Sequence, residues 1–178
     1  MRRLNDMLKI GTYVSYRSEG VCIISDVRTE AFGTLGESGE YYILTPIKDK
    51  NSLLYVPVSN EALVAMLRPL LSAAEIAALA AEVREERLPW RAESRARNYE
   101  FKELLDVGER RTLMVLVNTI LAQSTQLKSV GKKLTGGDEA VLKRALKMLL
   151  DEFSVTSEIN SEDELIEILQ GSRAVIAK

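Results

Sequence analysis

Very few residues in this chain could carry covalent or metal chemistry. It has no histidine, which removes the commonest general base and the commonest metal ligand. Its one cysteine, Cys22, can form neither an intramolecular disulfide nor a thiol cluster for zinc. Cys22 lies in the apolar run Val21-Cys22-Ile23-Ile24 without a neighbouring cation, which suits a small core residue better than a nucleophile. Gly131-Lys132-Lys133-Leu134-Thr135-Gly136-Gly137 has the composition of a phosphate loop without its order, and no strong strand precedes it. It reads as a turn between helices carrying two solvated lysines. No catalytic residues, bound metal or cofactor are expected.

The remaining chemistry is that of binding. The only tryptophan of the chain stands in Leu88-Pro89-Trp90-Arg91, and Arg95, Arg97 and Lys102 follow. An aromatic blade at a helix start with arginines around it can enter a groove while the cations grip phosphate. The plainer reading of a lone Trp is a core anchor. Between Arg87 and Lys133 there are ten Lys/Arg against five Asp/Glu, so this stretch is locally basic although the whole chain carries a net charge of −2. Nucleic-acid affinity must therefore come from a local patch and be weak for the protein alone. If the patch works in this way, Trp90 is substantially exposed and Trp90→Ala costs little stability.

These residues need elements to position them. The first seventy residues suggest short strands at Thr12–Tyr16, Gly20–Arg28, Glu40–Ile47 and Ser52–Pro57, with a fifth near Met66–Pro69. Gly33, Gly36 and Gly39 mark a long loop. This spacing predicts a small, strongly bent barrel or half-barrel. Such a sheet offers an edge whose unpaired backbone groups can accept a partner strand. The segment from Leu53 through Leu54, Tyr55 and Val56 to Pro57 is the candidate, and an internal strand is the equal alternative.

From Ser72 the periodicity becomes helical. Ser72-Ala73-Ala74-Glu75 has the form of a capping box and opens a helix reaching about Arg87. Further helices are expected over about 93–107, closed by Gly108, and over about 109–129, 138–153 and from Ser161 to Gly171. The expected organisation is α+β: a β domain at 1–70, a helical domain at 71–171, and a frayed tail at 172–178. Met1–Asp6 is not followed by the apolar run of a secretory leader. No membrane span is expected, and one cysteine suits a reducing cytoplasm.

Taken in order, several short motifs resemble one family. They are Met7-Leu8-Lys9-Ile10-Gly11 with Val14 and Tyr16, Gly20-Val21-Cys22, Tyr41-Tyr42-Ile43-Leu44 and Tyr55-Val56-Pro57-Val58 with Asn60. In the helical half they are Trp90, Phe101-Lys102-Glu103-Leu104-Leu105, Gly108-Glu109-Arg110, Gly131-Lys132-Lys133-Leu134, Asp138-Glu139 and Leu149-Leu150-Asp151-Glu152-Phe153. Over about residues 7–155 the chain resembles the CarD/CdnL family of bacterial transcription regulators. The β domain of that family is shared with the transcription-repair coupling factor. The resemblance implies a Tudor-like domain that pairs a strand with the RNA polymerase β subunit, here through Leu53, Leu54, Tyr55, Val56 and Pro57. It also implies a helical domain that stabilises the open promoter complex, with Trp90 as a wedge in the minor groove. Arg91, Arg95, Arg97, Lys102, Lys132 and Lys133 are the candidate contacts to promoter DNA. The family often has an arginine just before Val-Pro, where this chain has Tyr55. The expected protein is a monomer, with an exposed edge that permits paired or swapped dimers. The other reading is a protein-binding adaptor whose Trp90 belongs to the helical core.

Overall fold

The computed structural model describes residues 8–32 and 38–178. Met1–Met7, and Gly33 and Gly36 of the expected loop, lie outside the described residues. The chain divides into two units, Met1–Leu70 and Leu71–Lys178.

The first unit contains β1 (Tyr13–Tyr16), β2 (Gly20–Ala31), β3 (Ser38–Pro46), β4 (Leu54–Pro57), a single helical turn α1 (Glu61–Val64) and β5 (Leu67–Pro69). All pairings are antiparallel, in the order β4-β3-β2-β1-β5. β2 is long enough to serve two neighbours because it bends. Its register with β3 shifts between Ile24 and Asp26, so the extra residue Ser25 forms a bulge and increases the local twist. Alternate residues on the concave side, among them Val14, Tyr16, Cys22, Ile24, Tyr42, Leu44, Val56 and Leu67, form the core of this unit. The expected five-stranded, Tudor-like half-barrel is present. α1 is an addition that the periodicity does not announce. Asn60 starts it by accepting a hydrogen bond from the Leu63 N–H, as N-cap residues do.

The second unit contains α2 (Ala73–Val83), α3 (Ser94–Val107), α4 (Arg110–Ser129), α5 (Gly136–Thr156) and α6 (Glu162–Gln170). Local sequence sets most of the ends. Ser72 and Glu75 form the capping box of α2. Glu93 and Glu109 accept the first N–H groups of α3 and α4. Gly108 closes α3 at φ 63°, donating its N–H to the Leu104 carbonyl, in a left-handed conformation that costs glycine little. α4 is the central helix, with Leu113 to Ile120 buried without interruption. α2 stops at Val83, short of Arg87.

Residues 172–178, expected to fray, instead fold back. The Glu158 N–H donates to the Ile176 carbonyl at 2.8 Å, and Ser157 and Ala177 form an isolated bridge. The backbone just beyond α5 offers this tail the partners that its own sequence does not advertise. Among the described residues, no helix is long and apolar enough to cross a membrane.

Candidate partner and nucleic-acid surfaces

β4 is an edge strand: it pairs with β3 on one side only. Its alternation explains the roles of its residues. Leu54 and Val56 face the core, whereas Tyr55 points outward and is 37% exposed. Leu53 is exposed just ahead of the strand. Pro57 has no N–H to offer on the open side, while the Val58 N–H still donates to the Glu40 carbonyl of β3 at 2.9 Å. Tyr55 is not alone on the outer face. Its ring centroid lies 5.0 Å from that of Phe32 and 6.4 Å from that of Tyr41, and Phe32 and Tyr41 are 5.1 Å apart, all steeply inclined. Edge-to-face packing holds these three rings together. Phe32 is nevertheless 50% exposed. The adjacent Arg28 is balanced by Glu30 and Asp26, at 2.6 and 3.3 Å. The edge therefore combines free backbone groups with an aromatic patch beside which the Arg28 charge is fully paired and one net negative charge remains. Phe32 and Tyr41 escape the sequence reading because only strand register brings them to Tyr55.

Cys22 is fully buried and its thiol is pushed up to about 11, first by burial and then by the charge of Glu19. At neutral pH it is a protonated core residue.

In the helical unit, Trp90 is half-buried, not largely exposed. Its ring packs against Phe101, with centroids 6.0 Å apart and planes tilted by 57°. The Arg97 guanidinium lies 4.1 Å from its centroid. Arg97, expected among the phosphate contacts, is only 3% exposed. Its Nε and Nη2 donate to the two carboxylate oxygens of Asp138 at 2.9 and 2.7 Å, and Nη1 donates to the Arg91 carbonyl. A buried, fork-bonded guanidinium cannot reach a phosphate, so Arg97 leaves the set of DNA contacts. Asp138 itself is fixed by the α5 capping box with Thr135. Burial pushes its carboxyl up. Hydrogen bonds from Arg97 and Thr135, with the Arg97 charge, outweigh that and hold it below the usual carboxylate range.

Much of the apparent basic run is likewise neutralised inside the unit. Arg91 pairs with Glu100 at 2.8 Å, although both side chains still meet solvent. Arg110 lies buried 3.0 Å from Glu152. Arg111 bridges to Glu82 and Glu86 of the α2 region. Arg95, Lys102, Lys132 and Lys133 are exposed and make no ion pair among the described residues. Arg95 and Lys102 stand on α3 at helical spacing, with Tyr99 between them. Tyr99 is 66% exposed and completes an i, i+4, i+7 stripe. It too is a candidate missed in the sequence, although an exposed aromatic flanked by cations at that spacing is a legible signal. Lys132 and Lys133 stand in the α4–α5 turn, where they line a cleft with Lys128 and Glu139.

Residues 8–71 match the family model of the CarD-like/TRCF RID domain, a domain of RNA polymerase interaction. No curated protein matches the chain in sequence.

Proposed function

From the membership of residues 8–71 in the CarD-like/TRCF RID family, we propose that this chain is a non-enzymatic transcription regulator. Its first unit binds the RNA polymerase β subunit and its second unit stabilises the open promoter complex. The observation that carries the polymerase contact is the edge position of β4. A partner strand added there gains backbone hydrogen bonds. Its alternate side chains can cover Tyr55 and Phe32, which supplies selectivity. Tethering then raises the local concentration of the helical unit at the promoter, so a patch of few cations suffices.

Arg95, Lys102, Lys132 and Lys133 make the phosphate contacts in this reading, which orient the unit without reading sequence. Trp90 keeps part of its ring exposed and meets the upstream edge of the melted DNA in the minor groove. It can shift the equilibrium only by its differential affinity for open over closed DNA. For one aromatic–base contact that is about 1–3 kcal/mol.

The packing of Trp90 on Phe101 and beneath Arg97 favours a second reading, an adaptor that binds polymerase without touching DNA. One experiment separates the two. Open-complex lifetimes are measured with the full chain and with Trp90→Ala, at equal polymerase occupancy. The regulator reading expects shorter lifetimes with the variant, whereas unchanged lifetimes hand the case to the adaptor.

A further inference from the structure

The indole of Trp90 is held by residues that neither its own helix start nor the sequence around it announces. Arg97 covers the ring at 4.1 Å but is itself immobilised from α5, by the fork to Asp138. Asp138 also accepts from the Thr135 hydroxyl at 2.7 Å. The third arm of the guanidinium returns to the Arg91 carbonyl, one residue past Trp90. The chain Thr135–Asp138–Arg97 therefore touches both the ring face and the backbone beside it. Next to this chain, α3 and α5 approach so closely that a Cβ at Gly137 would stand 2.6 Å from the Asn98 Oδ1. A buried ion pair is weak evidence for stability in itself, because desolvating two charges offsets most of their attraction. What it does supply is a fixed plane, since a bidentate guanidinium has little freedom left.

We propose that Arg97 and Asp138 are positioning residues for Trp90, forming a clamp that sets the orientation of the indole and so decides which edge it presents. The functional part of this inference rests on Trp90 meeting promoter DNA, whereas the clamp itself does not. The split is useful because Trp90 is the only tryptophan, so its fluorescence reports the clamp directly.

The test uses the full chain with Arg97→Lys, which keeps the charge and removes the fork, and Asp138→Asn. Thr135→Ala is a milder variant that leaves the pair in place should the others fold poorly. Leu146→Ala, in the core of α5, is the control for general destabilisation. In folded protein, Arg97→Lys and Asp138→Asn are expected to red-shift Trp90 emission. Acrylamide quenching should rise by about two- to fivefold, the fold-change equivalent to losing a modest cation–π attraction at the partly exposed indole. Thr135→Ala shifts both in the same direction by less, and Leu146→Ala leaves both unchanged. Parent-like quenching in folded Arg97→Lys and Asp138→Asn, or an equal change in Leu146→Ala, overturns the clamp.

Open-complex lifetimes with polymerase form the second arm. Arg97→Lys shortens them in the Trp90 background and adds nothing in Trp90→Ala. Additive effects in the double variant mean that Arg97 acts independently of Trp90, and the positioning role falls. If Trp90→Ala alone leaves lifetimes unaltered, it is the DNA reading that fails, and the quenching data alone decide the clamp.

Discussion

The guanidinium of Arg97 lies 4.1 Å from the centroid of the Trp90 ring, and Phe101 meets the same ring at 6.0 Å. An indole held in this way is both a packing element and a partly exposed one. Trp90→Ala is therefore expected to destabilise the helical unit by about 1–3 kcal/mol, between the cost of an exposed truncation and that of a buried Trp. Denaturant unfolding followed by circular dichroism measures it. A cost within the noise would mean that neither neighbour contributes.

The second prediction concerns the β4 edge. Tyr55→Pro removes the backbone donor on the open side of β4 and is expected to abolish polymerase binding, whereas the Leu54 N–H is already turned to β3. Tyr55→Ala and Phe32→Ala leave the ladder intact and should each weaken binding by about 1–2 kcal/mol. Because the Arg28 charge beside the patch is already paired, the drop in affinity for either aromatic variant should be nearly the same at low and at moderate salt. Titration of purified polymerase with each variant measures all three, and undiminished binding in folded Tyr55→Pro would place the edge contact elsewhere.

Cys22 offers a test of the first unit by itself. Its thiol is buried and pushed up to about 11, so at pH 8 the folded protein holds it as the unreactive thiol, and only opening exposes it. A thiol reagent should leave the native chain unlabelled and react fully in denaturant. Labelling rates at intermediate denaturant then report the β unit, while Trp90 reports the helical one. Rapid labelling of the native chain would contradict the packing around β2.

The Asp138 carboxyl, held below the usual range, makes the helical unit sensitive to acid. A depressed folded-state pKa means that the carboxylate stabilises the fold in full above the unfolded value of about 3.9, and that this contribution disappears as pH falls from there through the folded value. The Trp90 signal should thus be flat from about pH 8 to about pH 5 and change only below about pH 4. Asp138→Asn should remove that part of the acid transition while lowering stability at neutral pH, since it leaves the Arg97 charge buried without its counter-ion. An acid transition identical in the variant would assign it to other carboxylates.

Salt dependence tests the exposed cations. Replacing Arg95, Lys102, Lys132 or Lys133 by Ala should weaken the effect on open complexes across promoters and flatten its salt dependence, by about one counterion for each phosphate no longer neutralised. Arg91→Ala should do less, because Glu100 already balances it. Lifetimes measured across a salt series with each variant decide the set.

Every strand and every long helix, in order, is legible in the amino-acid sequence, and the single turn α1 is not. Strand alternation and helical spacing act over a few residues, and so do the boxes at Ser72 and Thr135, the carboxylate caps at Glu93 and Glu109 and the left-handed Gly108. Such local signals need no knowledge of what packs where, although the Thr135 box and the two carboxylate caps came to light only in the structure. The sequence also bounded the chemistry, since a chain without histidine and with one apolar-flanked cysteine offers binding before catalysis. Non-local packing is what sets like residues apart. Arg95 and Arg97 stand two apart on one helix and read alike. Yet Arg97 is buried because Asp138, 41 residues away, meets it across two helices. Leu54–Pro57 could have been central or at the edge, because an isolated strand carries the same alternation in both places. The pairing order that leaves β4 with one neighbour, and sets Phe32 beside Tyr55, depends on the bulge in β2 and on register across the whole sheet. Those contacts are non-local, and no window of the sequence contains both partners.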